Sequence, residues 1–145
     1  MTNYSTPDLT QIPPRSPRAR LGGYAHLPRL LDKTRAFAVG KNGEYKYNCV
    51  MDGFFFTFTG INHEVFLAEV KKGRTDTEMI AWVRSQTKRL PFEIAAWTLW
   101  VENHGPGGTP GFSEKIKVLA PDRDDVRSFC DMLDLDDYIT FGGKP

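Results

Sequence analysis

Cysteine is nearly absent: Cys49 and Cys130 are the only two in 145 residues. They stand far apart and lack Cys-x-x-Cys spacing, which excludes a disulfide framework and a cysteine-built zinc site. Histidine is equally sparse. His26, His63 and His104 show neither His-x-x-x-His nor His-Glu-x-x-His spacing, so neither a metal nor another cofactor is expected. Net charge is lacking too, at +1, so whole-molecule charge names no partner and disfavours nucleic acid. Long apolar runs are missing. The longest, Phe92 to Val101, is interrupted by Glu93 and Thr98 and is far too short to span a bilayer. Met1-Thr-Asn-Tyr-Ser5 has none of the apolar character of a secretory signal, which gives the expectation of a cytoplasmic protein with no membrane partner. There is no Gly-x-Ser-x-Gly elbow, no Gly-Lys-Ser/Thr phosphate loop and no repeat of solenoid period.

What is present fits one folded domain. The chain is 40% apolar and 12% aromatic, too apolar for a disordered segment and long enough for one core. Charge is unevenly spread. Residues 1–46 hold eight Lys/Arg against three acids, and residues 120–145 hold seven acids against three Lys/Arg. Such a basic head either pairs with the acidic tail or faces a ligand.

The local pattern is helical. Residues 1–14, ending in Pro13-Pro14, read as a flexible arm, 15–140 as the domain and 141–145 as a tail. Gly22-Gly23 allows a tight turn or a close backbone approach. A helix starts near Pro28, with Leu27, Leu30, Leu31, Thr34, Phe37 and Ala38 inward and His26, Arg29, Asp32, Lys33 and Ala36 outward. Glu44 to Val50 reads as a short extended piece. Asp52 is the candidate cap of an aromatic helix ended by Gly60, Asn62 caps the next helix, and Thr75-Asp-Thr-Glu78 is a capping box. Phe92 to Asn103 is apolar nearly all round, the pattern of a buried helix, with Ile94, Trp97, Leu99 and Val101 inward. Gly105 to Gly111 is a loop, either a plain connection or a lid. Lys115 to Leu119 reads as extended, and Pro121-Asp122 as the opening of a last helix. The expected fold is mainly α: five or six short helices around a buried, Trp-containing central helix, with minor extended segments.

Two constellations carry chemistry. The first is Arg15, Arg18, Arg20, Tyr24 and His26 on irregular backbone, followed by Arg29, Asp32 and Lys33 on one helix face with Arg35 at its edge. Arginine forks match carboxylate or phosphate, and a nearby acid fixes their aim. The second is Tyr45, Tyr47, Asn48, Cys49 and Asp52, whose hydroxyls could orient a polar ligand. Cations gathered this closely require Asp32, another acid or a bound anion among them.

The segments Arg15-Ser-Pro-Arg-x-Arg-Leu-Gly-Gly-Tyr24, Leu27-Pro-Arg-Leu-Leu-Asp-Lys-x-Arg-Ala36 and Gly43-Glu-Tyr-Lys-Tyr-Asn-Cys49 resemble the bacterial family known as domain of unknown function 5069. Asp52-x-x-Phe-Phe-x-Phe-x-Gly-Ile61, Gly73-Arg-Thr-Asp76 and Trp82-Val83 fit the same pattern. The resemblance implies a small bacterial cytoplasmic protein and supplies no activity, ligand or catalytic residue. From the residues themselves the leading expectation is a domain that binds an anionic small molecule, a carboxylate or phosphate, through Arg15, Arg18, Arg20, Tyr24, His26, Arg29, Asp32, Lys33, Tyr45 and Tyr47. The alternatives are a small enzyme using the same pocket and a protein-interaction module. No catalytic residue is assigned.

Overall fold

The computed structural model describes residues 2–105 and 111–145. Among them are seven helices and one two-stranded sheet, a mainly α architecture as expected, with one or two helices more than the pattern suggested. The sheet is a minimal hairpin, β1 (Arg20–Leu21) and β2 (Tyr24–Ala25), in antiparallel register Arg20↔Ala25 and Leu21↔Tyr24. Gly22 and Gly23 make its turn with φ of +60° and +86°, a conformation that L side chains rarely adopt. A Cβ on Gly22 would also lie 2.4 Å from the Ile80 side chain, so glycine is required there twice over.

Helix α1 (Leu27–Ala38) follows at once. It is the most enclosed helix: Leu27, Leu30 and Leu31 are buried, and so are Arg29, Asp32, Lys33 and Ala36, which the pattern placed outward. Phe37, expected inward, is 44% exposed. The polar face of α1 thus turns toward protein, and its charges must be answered by other charges. Helices α2 (Val50–Thr59), α3 (His63–Lys71), α4 (Asp76–Gln86) and α5 (Pro91–Asn103) surround it and the hairpin. Their common ground is an aromatic cluster. Tyr24 and Phe55 are fully buried and meet edge-on at 5.4 Å, and Phe58 stacks on Trp97 at 5.2 Å. Thr98 ties α5 to the hairpin, accepting from the Ala25 N–H at 3.0 Å and donating to Gly23 O at 2.6 Å.

Several local expectations are corrected. The helix carrying Trp97 buries Trp97, Thr98 and Val101, but Phe92, Leu99 and Trp100 face outward, Leu99 at 57% exposure. An all-round apolar sequence leaves open which face meets the core, and here only the face toward β2 and α7 does. Glu44 to Cys49 is irregular rather than extended, with a turn at Tyr47-Asn48 where Asn48 has φ of +60°, and Val50 already opens α2. Cys49, not Asp52, is the N-cap residue of α2, and Asp52 sits at N3, accepting from the Cys49 N–H at 3.3 Å. Lys115 to Leu119 lies in helix α6 (Phe112–Leu119). The last helix, α7, spans Phe129–Thr140, with Ser128 and Asp131 as a reciprocal cap. Asp122 to Asp125 lie before it. There Arg123 forks onto Asp125 at 2.6 and 2.7 Å, a pairing two residues apart that a helix does not permit.

The supposed arm is docked at Leu9, which is 2% exposed and donates its N–H to Lys41 O at 2.9 Å. Most of the Gly105 to Gly111 loop lies outside the described residues.

Candidate functional site

The charges of α1 reach acids on three other elements. Asp137 of α7 accepts from Arg29 at 2.7 and 3.3 Å and from the Tyr45 hydroxyl at 2.7 Å, while the Arg29 guanidinium lies 5.5 Å from the Tyr45 ring centroid. Burial first, and then the Asp137 carboxylate, push the Tyr45 hydroxyl well above its ordinary pKa.

One helical turn further along, Lys33 donates to Asp52 of α2 at 2.8 Å, to Lys46 O at 3.0 Å and to Cys49 Sγ at 3.2 Å. Asp52 also accepts from His26 Nε2 at 2.7 Å. None of the His26, Lys33 and Asp52 side chains exceeds 4% exposure. Burial pushes the His26 pKa down, against the pull of Asp52. Its Nδ1 has no partner, so a proton there would be an unmatched buried donor. Burial opposes ionisation of Asp52 as well, but His26 and Lys33 outweigh it and hold its pKa at about 2. The backbone of His26 is left-handed, with φ of +67°, at the N-cap of α1. A histidine in that region is uncommon and costs about 1 kcal/mol or more.

The third group opens to solvent. Arg15 grips Asp32 through its backbone N–H at 2.9 Å and its guanidinium at 3.0 Å, and reaches Asp76 at 2.7 Å. Arg35 donates to the same Asp76 at 2.8 Å and to Arg74 O at 3.1 Å. Burial raises the Asp76 pKa, but the two arginines outweigh it and the net shift is downward.

Arg15, Arg35 and Asp76 of this group line a cleft of about 760 Å³. Arg74 and Lys71 line it with Thr75, the N-cap residue of α4, and Thr77 of its first turn, and so do Val39, Val70 and Tyr4. Arg74 pairs with Glu69 at 2.8 Å, and among the described residues no carboxylate pairs with Lys71.

The ten residues read from the sequence therefore divide. Arg15, Arg29, Asp32 and Tyr45 are contiguous, because Arg29 also donates to Arg15 O at 3.3 Å. His26 and Lys33 meet through Asp52 rather than directly. Arg18 turns to Asp131 and Asp134 of α7, joined there by Ser16, and Arg20 turns to Glu102 of α5 at 2.9 Å. Basic head and acidic tail are thus partners at Arg18 and Arg29. Tyr24 lies in the aromatic core. Tyr47 donates to His63 O and stacks on Phe37 at 5.4 Å.

Sequence reasoning omitted Asp76, Asp137, Lys71 and Arg74 from the site. Asp76 was legible as the residue after a cap in Thr75-Asp-Thr-Glu78, and Gly73-Arg-Thr-Asp76 as a polar turn. Asp137 carried no local signal, being one of seven acids near the end of the chain. Among the described residues no three His, Cys, Asp or Glu side chains stand close enough to hold a metal ion, and no helix is long and apolar enough to cross a membrane.

Arg29 and Lys33 are taken up by buried acids, whereas Asp32 and Asp76 fix Arg15 and Arg35 in the lining of an open cleft. A comparison with curated proteins finds no match. The family model for a domain of unknown function, number 5069, matches residues 11–139, nearly the whole length over which α1 collects its partners, and the chain belongs to that family.

Proposed function

We propose that this protein binds an anionic small molecule in the cleft between α1 and the start of α4. The observation that carries the reading is the lining: Arg15, Arg35, Lys71 and Arg74 converge on one cleft that holds a single carboxylate, Asp76. Asp76 is itself engaged by both Arg15 and Arg35. Among the described residues Lys71 has no carboxylate partner, and Arg74, held by Glu69 through Nε, keeps its Nη donors. The site keeps Arg15 from the sequence expectation, braced by Asp32 from outside the cleft lining, and moves away from Arg29 and Lys33, whose partners are Asp137 and Asp52. Membership of a family that resemblance describes as bacterial, together with two free cysteines, supports a bacterial, cytoplasmic setting.

A ligand that binds only the folded state raises Tm by mass action, by about 2.7 kcal/mol of stability at a hundredfold excess over Kd. The test is a thermal-shift series with phosphate, sulfate and small carboxylates on the wild type and on the double variant Lys71→Gln/Arg74→Gln. Lys71 is exposed and Arg74 half-buried, and neither belongs to the core, so the variant keeps its fold. The expected result is a rise in Tm for the wild type that the variant lacks. Equal responses, or none in the wild type, would refute the reading.

A further inference from the structure

A carboxylate offers two coplanar oxygens and is satisfied by one guanidinium fork. The cleft holds more donors than that, and they come from separate elements: Arg35 from α1, Lys71 from the end of α3, Arg74 from the connection, and the hydroxyls of Thr75, the N-cap residue of α4, and Thr77 in its first turn. Arg35 uses Nη1 on Asp76 and Nη2 on Arg74 O, and Arg74 uses Nε on Glu69. Each guanidinium has five N–H groups, so both retain donors. A phosphoryl group matches such a set, with three strong acceptor oxygens and a charge of about −1.5 to −2 at neutral pH.

Size adds the second argument. A cleft of about 760 Å³ falls within the range that encloses whole organic ligands, well beyond a bare phosphate ion. Its lining also includes carbon: Ala38, Val39 and Val70, with Tyr4, 74% exposed, beside them. An exposed tyrosine ring beside aliphatic side chains offers a flat surface to a ring or a sugar face.

Resting on the anion-binding reading, we infer that the ligand is an organic phosphate monoester. Its phosphoryl group lies against Arg35, Lys71 and Arg74, and its carbon body against Val39, Val70 and Tyr4. The base-bearing and sugar-only forms share this chemistry, and the experiment separates them.

Tm is followed against concentration for inorganic phosphate, adenosine monophosphate, a hexose phosphate, adenosine and citrate. The proteins are wild type, Lys71→Gln/Arg74→Gln and Tyr4→Ala. At least one monoester should act at about tenfold lower concentration than inorganic phosphate, while adenosine has no effect. The double variant should lose the response to both phosphate and ester. Tyr4→Ala should reduce the ester's advantage and leave the response to inorganic phosphate as it was. A larger response to adenosine monophosphate than to the hexose phosphate assigns a base to the ligand, and the reverse assigns a sugar alone. If citrate stabilises and the monoesters do not, the anion reading stands and this inference falls. If phosphate and its esters act equally, the carbon body is refuted. If no anion acts, both readings fall.

Discussion

Asp52→Asn tests whether the buried polar face of α1 is held by charge. Asp52 is fully buried and ionised between Lys33 at 2.8 Å and His26 at 2.7 Å. The amide keeps the shape and removes the charge. Lys33, its side chain 4% exposed, is then left with only neutral acceptors, the new amide oxygen, Lys46 O and the Cys49 sulfur. The second consequence falls on His26. An amide NH₂ facing Nε2 drives the ring proton to Nδ1, which has no partner. Removing one member of a buried pair costs about 3–5 kcal/mol, because the remaining charge is uncompensated. In a chain of this size that lowers Tm by about 6–20 °C. The assay is urea unfolding followed by far-ultraviolet circular dichroism, with the denaturant slope checked for constancy. Arg18→Ala is the control: its guanidinium is 41% exposed, and its pairs with Asp131 and Asp134 should contribute about 1 kcal/mol or less. Lys33→Met/Asp52→Leu should cost less than the sum of its single changes, since neither charge is then stranded. A loss below about 1 kcal/mol for Asp52→Asn, or strict additivity in the double variant, would refute the argument.

Stability should fall with acid in two stages. The folded pKa of His26 lies below the ordinary 6.5, so the contribution of its neutral form is complete above that value and declines as pH drops toward the folded pKa. Asp52, at about 2, and Asp76, also lowered, add a further loss as pH falls below their ordinary 3.8. His26→Asn, which tolerates the left-handed backbone, should flatten the first stage, and urea midpoints at neutral and mildly acidic pH measure it. Gly22→Ala should destabilise by about 1–3 kcal/mol, since its Cβ would meet Ile80 and its φ is +60°. Gly40→Ala, with φ of +71° and nothing within 4 Å, should cost only the backbone part, about 1–2 kcal/mol, and equal losses in the two unfolding curves would contradict the steric claim. Cys130 is fully buried, and burial pushes its pKa up to about 11, whereas Cys49 is half-buried. A chromogenic thiol titration should therefore count one fast thiol in the folded protein and two in urea. Two fast thiols without denaturant would show that the core around Cys130 opens.

Local chemistry settled much of the fold from the sequence alone. Asn62 and the Thr75–Glu78 box announce α3 and α4 because a cap satisfies backbone N–H groups within four residues of itself. Gly22-Gly23 announces the hairpin turn because few other residues adopt its φ values. The aromatic residues announce a core, since little else buries so much apolar surface. The sequence also showed that cations crowded between Arg15 and Arg35 needed compensation.

Which acids provide it was decided by tertiary structure. Asp76, Asp52 and Asp137 lie 61, 19 and 108 residues from the partners they meet, Arg15, Lys33 and Arg29, and no periodicity encodes such distances. The same holds for the outward side of α5. Helical spacing groups residues into faces, but an apolar residue on either side satisfies the pattern, and only the placement of β2 and α7 selects Trp97 and Val101 over Leu99. The cleft is tertiary in the same sense. Arg15 and Arg35 were visible as charges, but their convergence with Lys71 and Arg74 exists only once α1 packs against α3 and the start of α4 presents Asp76 to both arginines.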